Sequence, residues 1–483
     1  MAKAKSKKIM LEDALVPVDE QPYQIPENWC WTRIKHVSDV VTGSTPSKKH
    51  AEYYGGDFPF FKPADLEAGD NVVEATEYLS EEGKNVSRII PKLSTAVCCI
   101  GSIGKTGLIR VEGTTNQQIN SMIPKINPLY LYYYSKSNVF IEELWNKSTA
   151  TTISLVNKKN METNTIPLAP LAEQKRIVEQ IESLFSKLDE AKEKAQEILD
   201  TFNDRKAAIL YKAFQGNLTK QWRKEHSDIS AIEYLRKIEK SGEDFSKKEF
   251  KFWESNELPK TWAESKIGNL LYFAGRIGWK GLKADEYTEE GPLLLSVYNL
   301  NDGDEVSYNR VYHITTERYE ESPEIMVEIG DVLLTKDGAG IGKLGYVKEL
   351  PQEATINSSL LLIRPGNTAI SKYIFYLLSG PELQSIVKER ITGSATPHLF
   401  QRDIKEFTIP IPPLEEQEEI VRILDDVLEK EKIAYESAEN VISQIELMKK
   451  SILAKAFRGE LGTNNPEEES SSELLKSIIE GEK

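Results

Sequence analysis

Cysteine is scarce. Only Cys30, Cys98 and Cys99 occur in 483 residues, too few for a disulfide framework, and adjacent Cys98 and Cys99 lack the spacing of metal ligands. Five histidines, His36, His50, His226, His313 and His398, are scattered and complete no ligand set with them, so no metal site is expected. Long apolar runs are missing too: nothing approaches the roughly 18–20 residues that span a bilayer. Met1 to Pro17 carries lysines without an apolar stretch behind them, unlike a secretory signal. The chain is read as cytoplasmic.

Basic residues are in deficit, 61 Lys and Arg against 76 Asp and Glu, for a formal net charge of −15. Phosphate contacts call for the opposite balance, but the excess is unevenly spread. The C-terminal stretch carries Glu467, Glu468, Glu469, Glu473, Glu480 and Glu482 against Lys476 and Lys483 and reads as a disordered, solvated tail. Glu20 to Thr165 holds 15 basic and 16 acidic side chains. Net charge thus leaves nucleic-acid binding open, and a basic partner could supply part of a phosphate clamp.

What the chain does have is a repeat. Pro167-Leu-Ala-Pro-Leu-Ala-Glu-Gln-Lys-Arg-Ile-Val178 returns as Pro410-Ile-Pro-Pro-Leu-Glu-Glu-Gln-Glu-Glu-Ile-Val421, and the offset holds to Ala208–Leu218 and Ser451–Leu461. Roughly 19 of 52 positions are identical, which marks a duplication. The preceding regions repeat more loosely: Ile25-Pro-Glu-Asn-Trp29 with Leu258-Pro-Lys-Thr-Trp262, Ile103–Gly107 with Ile341–Gly345, and Asn116-Gln-Gln118 with Asn357-Ser-Ser359. The order is variable domain, helix, variable domain, helix.

Each long repeat has the 4–3 apolar spacing of a coiled-coil seam. The first places Ile177, Ile181, Leu184, Leu188, Ala191, Ala195, Ile198 and Phe202 there; the second places Ile420, Leu424, Val427, Glu431, Ala434, Ala438, Val441 and Ile445. Glu431 breaks the stripe. Prolines before each helix stop a strand, and Gly216 and Gly459 sit where a C-terminal cap belongs. Two helices packed separately on their own domains are the plain alternative, but equal, duplicated seams favour mutual antiparallel pairing.

The variable regions read as α/β. Thr95–Ile100 and Asp331–Thr335 are strand candidates before Gly-rich turns, and Pro128–Tyr134 and Ser371–Leu378 are short buried helices. The fold class is α+β: two α/β domains separated by two long helices that pair as an antiparallel coiled coil, with an internal pseudo-twofold repeat. The segments are an N-terminal tail 1–19, domain 20–166, helix 167–216, a partly helical linker 217–257, domain 258–409, helix 410–459 and tail 460–483.

From Ile25 to Leu461 the arrangement resembles the specificity subunit of type I restriction–modification systems, in the Pro-x-x-Trp openings, Thr42-Gly-Ser-Thr-Pro46, Gly393-Ser-Ala-Thr-Pro397 and the Pro-Leu-x-Glu-Gln helix starts. The resemblance implies two target-recognition domains, each reading half of a bipartite duplex DNA site, in a system of phage defence. It implies as partners two methyltransferase subunits that modify adenine with S-adenosylmethionine, and ATP- and Mg2+-dependent motor-nuclease subunits. This chain itself would be non-catalytic and hold no cofactor. The two domains depart from each other at Ser44-Thr-Pro46 against Ile277-Gly-Trp279, so the half-sites are expected to differ. Helices of about 45 residues, roughly 65 Å long, would act as a ruler for half-sites about 34–36 Å apart. Four inserted residues would change the unread gap by about a base pair or two.

Base edges are read by short donors and acceptors, with Arg or Lys for guanine and Asn or Gln for adenine. Candidates in the first domain are Ser44, Thr45, Ser47, Lys48, Lys49, Lys105, Asn116, Gln117, Gln118, Thr149 and Thr151. In the second they are Arg276, Trp279, Lys280, Lys283, Lys343, Asn357, Ser358, Ser394, Thr396, His398, Gln401 and Arg402. Arg276 and Lys280 around Trp279 suit backbone contact or stacking. Each residue alone is also an ordinary solvated loop residue.

Three motifs suggest chemistry and fall short. Gly104-Lys105-Thr106 and Gly342-Lys343 are similar to the end of a phosphate-binding loop, but Cys99 and Asp337 stand where its first glycine belongs, which leaves tight turns after strands. Asn127-Pro-Leu-Tyr130 is similar to an amino-methyltransferase element without a methyl-donor loop. Glu173-Gln-Lys175 has the acid–x–Lys form of nucleases without a paired Asp. The rival functions are a coiled-coil interaction scaffold with no sequence reading and a stand-alone DNA methyltransferase.

Overall fold

Proline sets the architecture's joints. Strand Thr165–Leu168 ends at the Pro167–Pro170 segment and the central helix runs Leu171–Phe214; strand Thr408–Ile411 ends at Pro412–Pro413 and the second long helix runs Leu414–Phe457. In the computed structural model, residues 10–149, 154–241, 252–254, 257–276, 282, 286–300, 304–338, 340–392 and 398–481 are described. They form two compact units, the first from Met1–Gln196 and Glu439–Lys483, the second from Glu197–Ala438. Each contains one α/β head, the start of one long helix and the end of the other.

Apart from strand Trp253–Glu254, which head 2 adds beside Ala263–Lys266, the heads repeat each other strand for strand. In head 1, Cys30–Arg33 pairs antiparallel with Thr165–Leu168, and a four-stranded sheet has the order Ser38–Thr42, Ile119–Pro124, Thr95–Cys98, Thr106–Leu108. A smaller sheet sets Tyr54–Phe61 between antiparallel Glu77–Leu79 and parallel Thr114–Thr115. Head 2 pairs Ala263–Lys266 with Thr408–Ile411 and has the sheet Tyr272–Ala274, Leu360–Arg364, Val332–Thr335, Leu344–Tyr346. Its smaller sheet sets Thr288–Leu295 between antiparallel Tyr312–His313 and parallel Ala354–Ile356. The duplication recognised in the helices therefore extends through both domains.

The apolar periodicity of the helices is used on both sides of each pairing. In the first unit the helices run antiparallel, with Lys192 Nζ 3.2 Å from Glu446 and Lys449 Nζ 2.5 Å from Asp189. In the second, the Phe202 and Tyr435 rings lie 4.8 Å apart, and Arg205 Nε meets Glu431 at 2.8 Å. Ile177, Ile181, Ala195, Ile420, Leu424, Ala438 and Ile445 are buried, while Leu184, Leu188, Ile198, Phe202 and Val427 are half-buried. Glu431, read as a break in the seam, is answered by Arg205. Val441 is a correction: it is 41% exposed, and half-buried Ile442 faces inward between Ala438 and Ile445. A strict seven-residue spacing drifts about 20° per heptad on a straight helix, enough to move one position off the stripe.

Each long helix ends in the core of a head. Phe457 packs edge-on against Tyr130 and Tyr134 at 5.2 and 5.0 Å, and Phe214 against Tyr373 at 5.5 Å. The tyrosines lie on the short buried helices Pro128–Ser135 and Ser371–Leu378, and the Tyr130 and Tyr373 hydroxyls donate to Pro167 O (2.7 Å) and Pro410 O (2.9 Å). Removing such an aromatic costs about 3–5 kcal/mol. Gly216 and Gly459 have φ of 68° and 74°, and a Cβ there would sit 2.7 Å from Pro259 Cγ and 2.4 Å from Pro26 Cγ. Glycine thus serves both the left-handed cap and the close approach.

Both tails are corrected. Helix Leu11–Ala14 and Val16 join head 1: Ala14 is buried, and Val16 N donates to Trp31 O at 3.0 Å. The acidic C-terminal stretch, expected to be disordered, forms helix Ser471–Glu480, with Leu475 and Ile478 in the core of the first unit. Its glutamates occupy the solvent side while a narrow apolar stripe faces inward. The linker supplies the matching helix Ala231–Ser241 in the second unit, where Ala231 and Leu235 are buried. Ser471 N donates to Asn28 O (3.0 Å) as Ala231 N donates to Thr261 O (2.8 Å), so the repeat continues past Leu461.

Candidate nucleic-acid interface

In both heads the strand before the Ile-Gly-Lys turn holds that turn and two further loops at one edge of the four-stranded sheet. The turn itself is a tight hairpin, with Gly104 and Gly342 at φ 89° and 87°. Gly104 N donates to Cys98 O (3.0 Å) and Gly342 N to Thr335 O (2.9 Å). A turn after a strand is thus what the sequence encodes here. Lys105 is held by Glu67 at 2.7 Å, and Lys343 lines a cleft of about 460 Å³ in head 2.

The second loop is an amide-built turn. Asn116 Oδ1 accepts from Gln118 N at 3.1 Å, and Asn357 Oδ1 accepts from Ser359 N (3.1 Å) and Ser359 Oγ (2.6 Å). Asn116 is buried and Asn357 half-buried, so both shape the turn, and Gln117 and Ser358 are its exposed tips. The turn is tied to the strand end: Cys99 N donates to Gln118 O (2.7 Å) and Lys336 N to Ser359 O (2.9 Å).

The third loop docks on the same strand end. Val156 N donates to Cys99 O and Leu399 N to Lys336 O, each at 2.9 Å. In head 1 exposed Thr149 and Leu155 exchange backbone hydrogen bonds at 3.0 and 3.1 Å just before this junction. A fourth loop, described in head 1, adjoins them. Gly43 N reaches Ile119 O (3.0 Å) and Ser44 N reaches Thr115 O (2.9 Å). A Cβ on Gly43 would fall 2.2 Å from Asn116 O, which is why the loop needs glycine. Thr45 bonds to Gln117, and Ser47, Lys48 and Lys49 are exposed.

The expected contacts of head 2 divide differently. Arg276 is 4% exposed; its Nε donates to Ile356 O at 3.0 Å and its Nη2 to Thr355 Oγ1 at 3.2 Å. Burial, then Arg318 nearby, holds its pKa below the ordinary guanidinium value. It is a strut tied to strand Ala354–Ile356, which corrects its reading as a residue for backbone contact or stacking. Gln401 donates to Phe273 O at 3.1 Å, while exposed Arg402 lies 4.9 Å from the Phe400 ring centre. His398 Nδ1 bonds to Asp337. Thr151, Trp279, Lys280, Lys283, Ser394 and Thr396 lie outside the described residues.

Sequence reasoning overlooked several side chains at this edge. Buried Asn120 ties the strand end of head 1 to two of its flanking segments: its Nδ2 lies 3.3 Å from Cys99 Sγ and 3.4 Å from Val156 O, and its Oδ1 accepts from Thr42 Oγ1 at 2.7 Å. Tyr298, Arg310, Asp337 and Phe400 stand around the edge of head 2. Aligning the heads by the turns Lys62–Asp65 and Ser296–Asn299 would have drawn attention to Tyr298.

The motifs suggestive of chemistry have structural uses. Asn127 caps helix Pro128–Ser135, accepting from Leu129 N (3.0 Å) and Tyr130 N (3.2 Å). Glu173 is buried and accepts from Trp29 Nε1 at 2.7 Å. Burial raises the thiol pKa values of Cys30, Cys98 and Cys99, that of Cys99 to about 12. Among the described residues no group of three or more His, Cys, Asp or Glu is placed to hold a metal, and no helix is long and apolar enough to cross a membrane.

Known proteins share this arrangement. The chain is similar to the type I restriction enzyme EcoBI specificity subunit of Escherichia coli, 26% identical over 455 residues that cover 92% of this chain and 84% of that protein. It is likewise 26% identical over 415 residues to the MjaIX specificity subunit of Methanocaldococcus jannaschii, covering 81% and 84%. Its fold is similar to the crystal structure of the HsdS subunit from Thermoanaerobacter tengcongensis (TM-score 0.61, 19% identity, covering 92% of this chain and all of that one). A second solved chain, from a study of complex assembly and conformational transition in the type I R-M system, superposes with TM-score 0.64 at 19% identity, covering 91% of this chain and all of that one. The family model for the type I restriction modification DNA specificity domain matches residues 26–200 and again 259–446. With both halves of the duplication matched, this chain belongs to the family of type I restriction–modification DNA specificity subunits.

Proposed function

We propose that this chain selects the DNA target of a type I restriction–modification complex, each head reading one half of a split, asymmetric duplex site. One observation carries the reading. The Ile-Gly-Lys turn, the amide-built turn and the loop docked on the strand end converge on the same sheet edge in both heads through matched backbone hydrogen bonds, while the exposed tip of the amide turn is Gln117 in head 1 and Ser358 in head 2. A conserved frame with unlike tips suits two readers of unlike sequences. Phosphate contacts position a protein on duplex, and base contacts specify. Exposed Thr45, Ser47, Lys48, Lys49 and Gln117 are the candidates for such contacts in head 1, and exposed Lys343, Ser358 and Arg402 with half-buried His398 in head 2.

The chain contributes recognition and no catalysis in this reading. Adenine methylation with S-adenosylmethionine, and ATP- and Mg2+-dependent translocation and cleavage, fall to two methyltransferase subunits and to motor-nuclease subunits in the cytoplasm. A formal charge of −15 makes unaided binding weak, because counterion release scales with neutralised phosphates; partner subunits supply the remaining positive charge.

The test is to co-express the chain with its methyltransferase and map modified adenines genome-wide, before and after exchanging residues 20–166 for the corresponding domain of a relative. One split motif is expected, with only one half altered by the exchange. A map without a motif would return the chain to the class of interaction scaffolds.

A further inference from the structure

Superimposing the heads by their hydrogen bonds exposes a difference the frame does not require. The matched pairs Val156–Cys99 and Leu399–Lys336 make Asp337 the counterpart of Ile100 and His398 the counterpart of Leu155. Both pairs are joined by an isolated antiparallel bridge. The backbone is the same, and the two apolar residues of head 1 are replaced by an acid–histidine pair in head 2. The turns that follow the central strand of the smaller sheet align in the same way: Lys62 N donates to Asp65 Oδ2 at 2.7 Å and Ser296 N to Asn299 Oδ1 at 2.8 Å. Tyr298 therefore stands where head 1 has Ala64, and Phe400 where it has Asn157.

We propose that head 2 reads its half-site with Tyr298 and with His398 held in place by Asp337, a set of base readers with no counterpart in head 1. The inference rests on the DNA-reading function proposed above. Tyr298 and Asp337 line the same 460 Å³ cleft, together with Lys343, Asn357 and Ser359. Tyr298 is 57% exposed, with the Arg310 guanidinium 5.3 Å from its ring centre, and Phe400 is 44% exposed, with its ring 4.5 Å from the His398 imidazole. Large aromatics left on a rim and flanked by guanidinium groups combine an apolar face for a thymine methyl with polar edges for bases and phosphates.

Asp337 is a positioning residue. One of its oxygens takes His398 Nδ1 and the other accepts from Lys336 Nζ at 2.8 Å. With Nδ1 engaged by Asp337, Nε2 is the ring atom that would meet a base edge. It accepts from an adenine or cytosine amino group when the ring is neutral and donates to guanine O6 or N7 when protonated.

The experiment maps modified adenines for the full chain co-expressed with its methyltransferase, as wild type and as Tyr298→Ala, His398→Leu and Asp337→Asn. Each substitution is expected to relax one or two positions in one half of the motif, raising modification at sites mismatched there by about ten-fold or more. The other half stays intact, which also reports a folded chain. A split motif unchanged by all three substitutions overturns this inference alone, as does a loss that weakens both halves together, the signature of a structural or phosphate-clamping role. A wild-type chain without a split motif instead overturns the reading on which it rests.

Discussion

The indole Nε1 of Trp29 donates to the carboxylate of Glu173 across 2.7 Å inside head 1, and Trp262 donates to Glu416 across 2.8 Å inside head 2. Each carboxylate is fully buried and takes further donors: Asn464 Nδ2 at 3.0 Å for Glu173, Thr219 Oγ1 at 2.6 Å and Arg223 for Glu416. The neighbouring glutamines repeat the pattern. Gln174 accepts from Asn127 N (3.1 Å) and donates to Ala169 O (2.8 Å); Gln417 accepts from Ile370 N (2.8 Å) and donates to Pro412 O (2.9 Å). The Pro-Leu-x-Glu-Gln motif is thus the latch that fixes each long helix to its head.

Trp29→Phe keeps one aromatic ring and removes the donor to a buried charge, a loss of about 1.5–3 kcal/mol from the hydrogen bond in addition to the lost indole packing. Trp262→Phe should cost a similar amount in the second unit. Urea denaturation followed by far-UV circular dichroism measures both, and unchanged midpoints would rule out the latch.

Arg205 and Glu431 pair across the helices of the second unit, with side chains 33% and 23% exposed. A double-mutant cycle with Arg205→Ala and Glu431→Ala should give a coupling of about 0.5–1 kcal/mol, smaller in high salt. Zero coupling would make Glu431 the defect in the seam that its sequence suggests.

The C-terminal helix is structural. Leu475 is fully buried, so Leu475→Ala should destabilise the first unit by about 2–5 kcal/mol. Ending the chain at Gly462 also removes the bidentate Arg176–Glu468 pair, at 2.8 and 2.9 Å. Thermal melting of the two variants should show a lowered transition in each; wild-type melting of the shortened chain would mean that the segment is dispensable.

His36 gives head 1 an acid sensitivity. Burial, then Lys35, Arg33 and Lys125, lowers its pKa to about 4, so the unfolded chain binds more protons than the folded one between about pH 6.5 and 4. Its contribution is complete above that window and is lost as pH falls through it, at up to about 1.4 kcal/mol per pH unit. His36→Gln should flatten the decline in stability between pH 6.5 and 4.5 measured by urea titration. An equal slope in the variant would contradict this origin.

Sequence carried the duplicated frame well because identical contacts preserve identical residues: Glu173 and Glu416, Gln174 and Gln417, Phe214 and Phe457 meet equivalent partners. Val441 went astray because heptad counting ignores helical drift. The tail went astray because its glutamates hide the inward stripe of Leu475 and Ile478. At the proposed DNA-reading edge, residue type alone cannot tell an exposed guanidinium from a strut, so Arg276 departs from its expected role. A search for amides and charges passed over Tyr298, whose significance lies in its contrast with Ala64.

The central claim, two heads reading two unlike half-sites, is tested most directly by selecting duplexes from a random-sequence library with the complex of this chain and its methyltransferase. Two short, dissimilar blocks separated by a gap of fixed length and free sequence are predicted. Enrichment of one contiguous block, of two identical blocks, or of no sequence would contradict it.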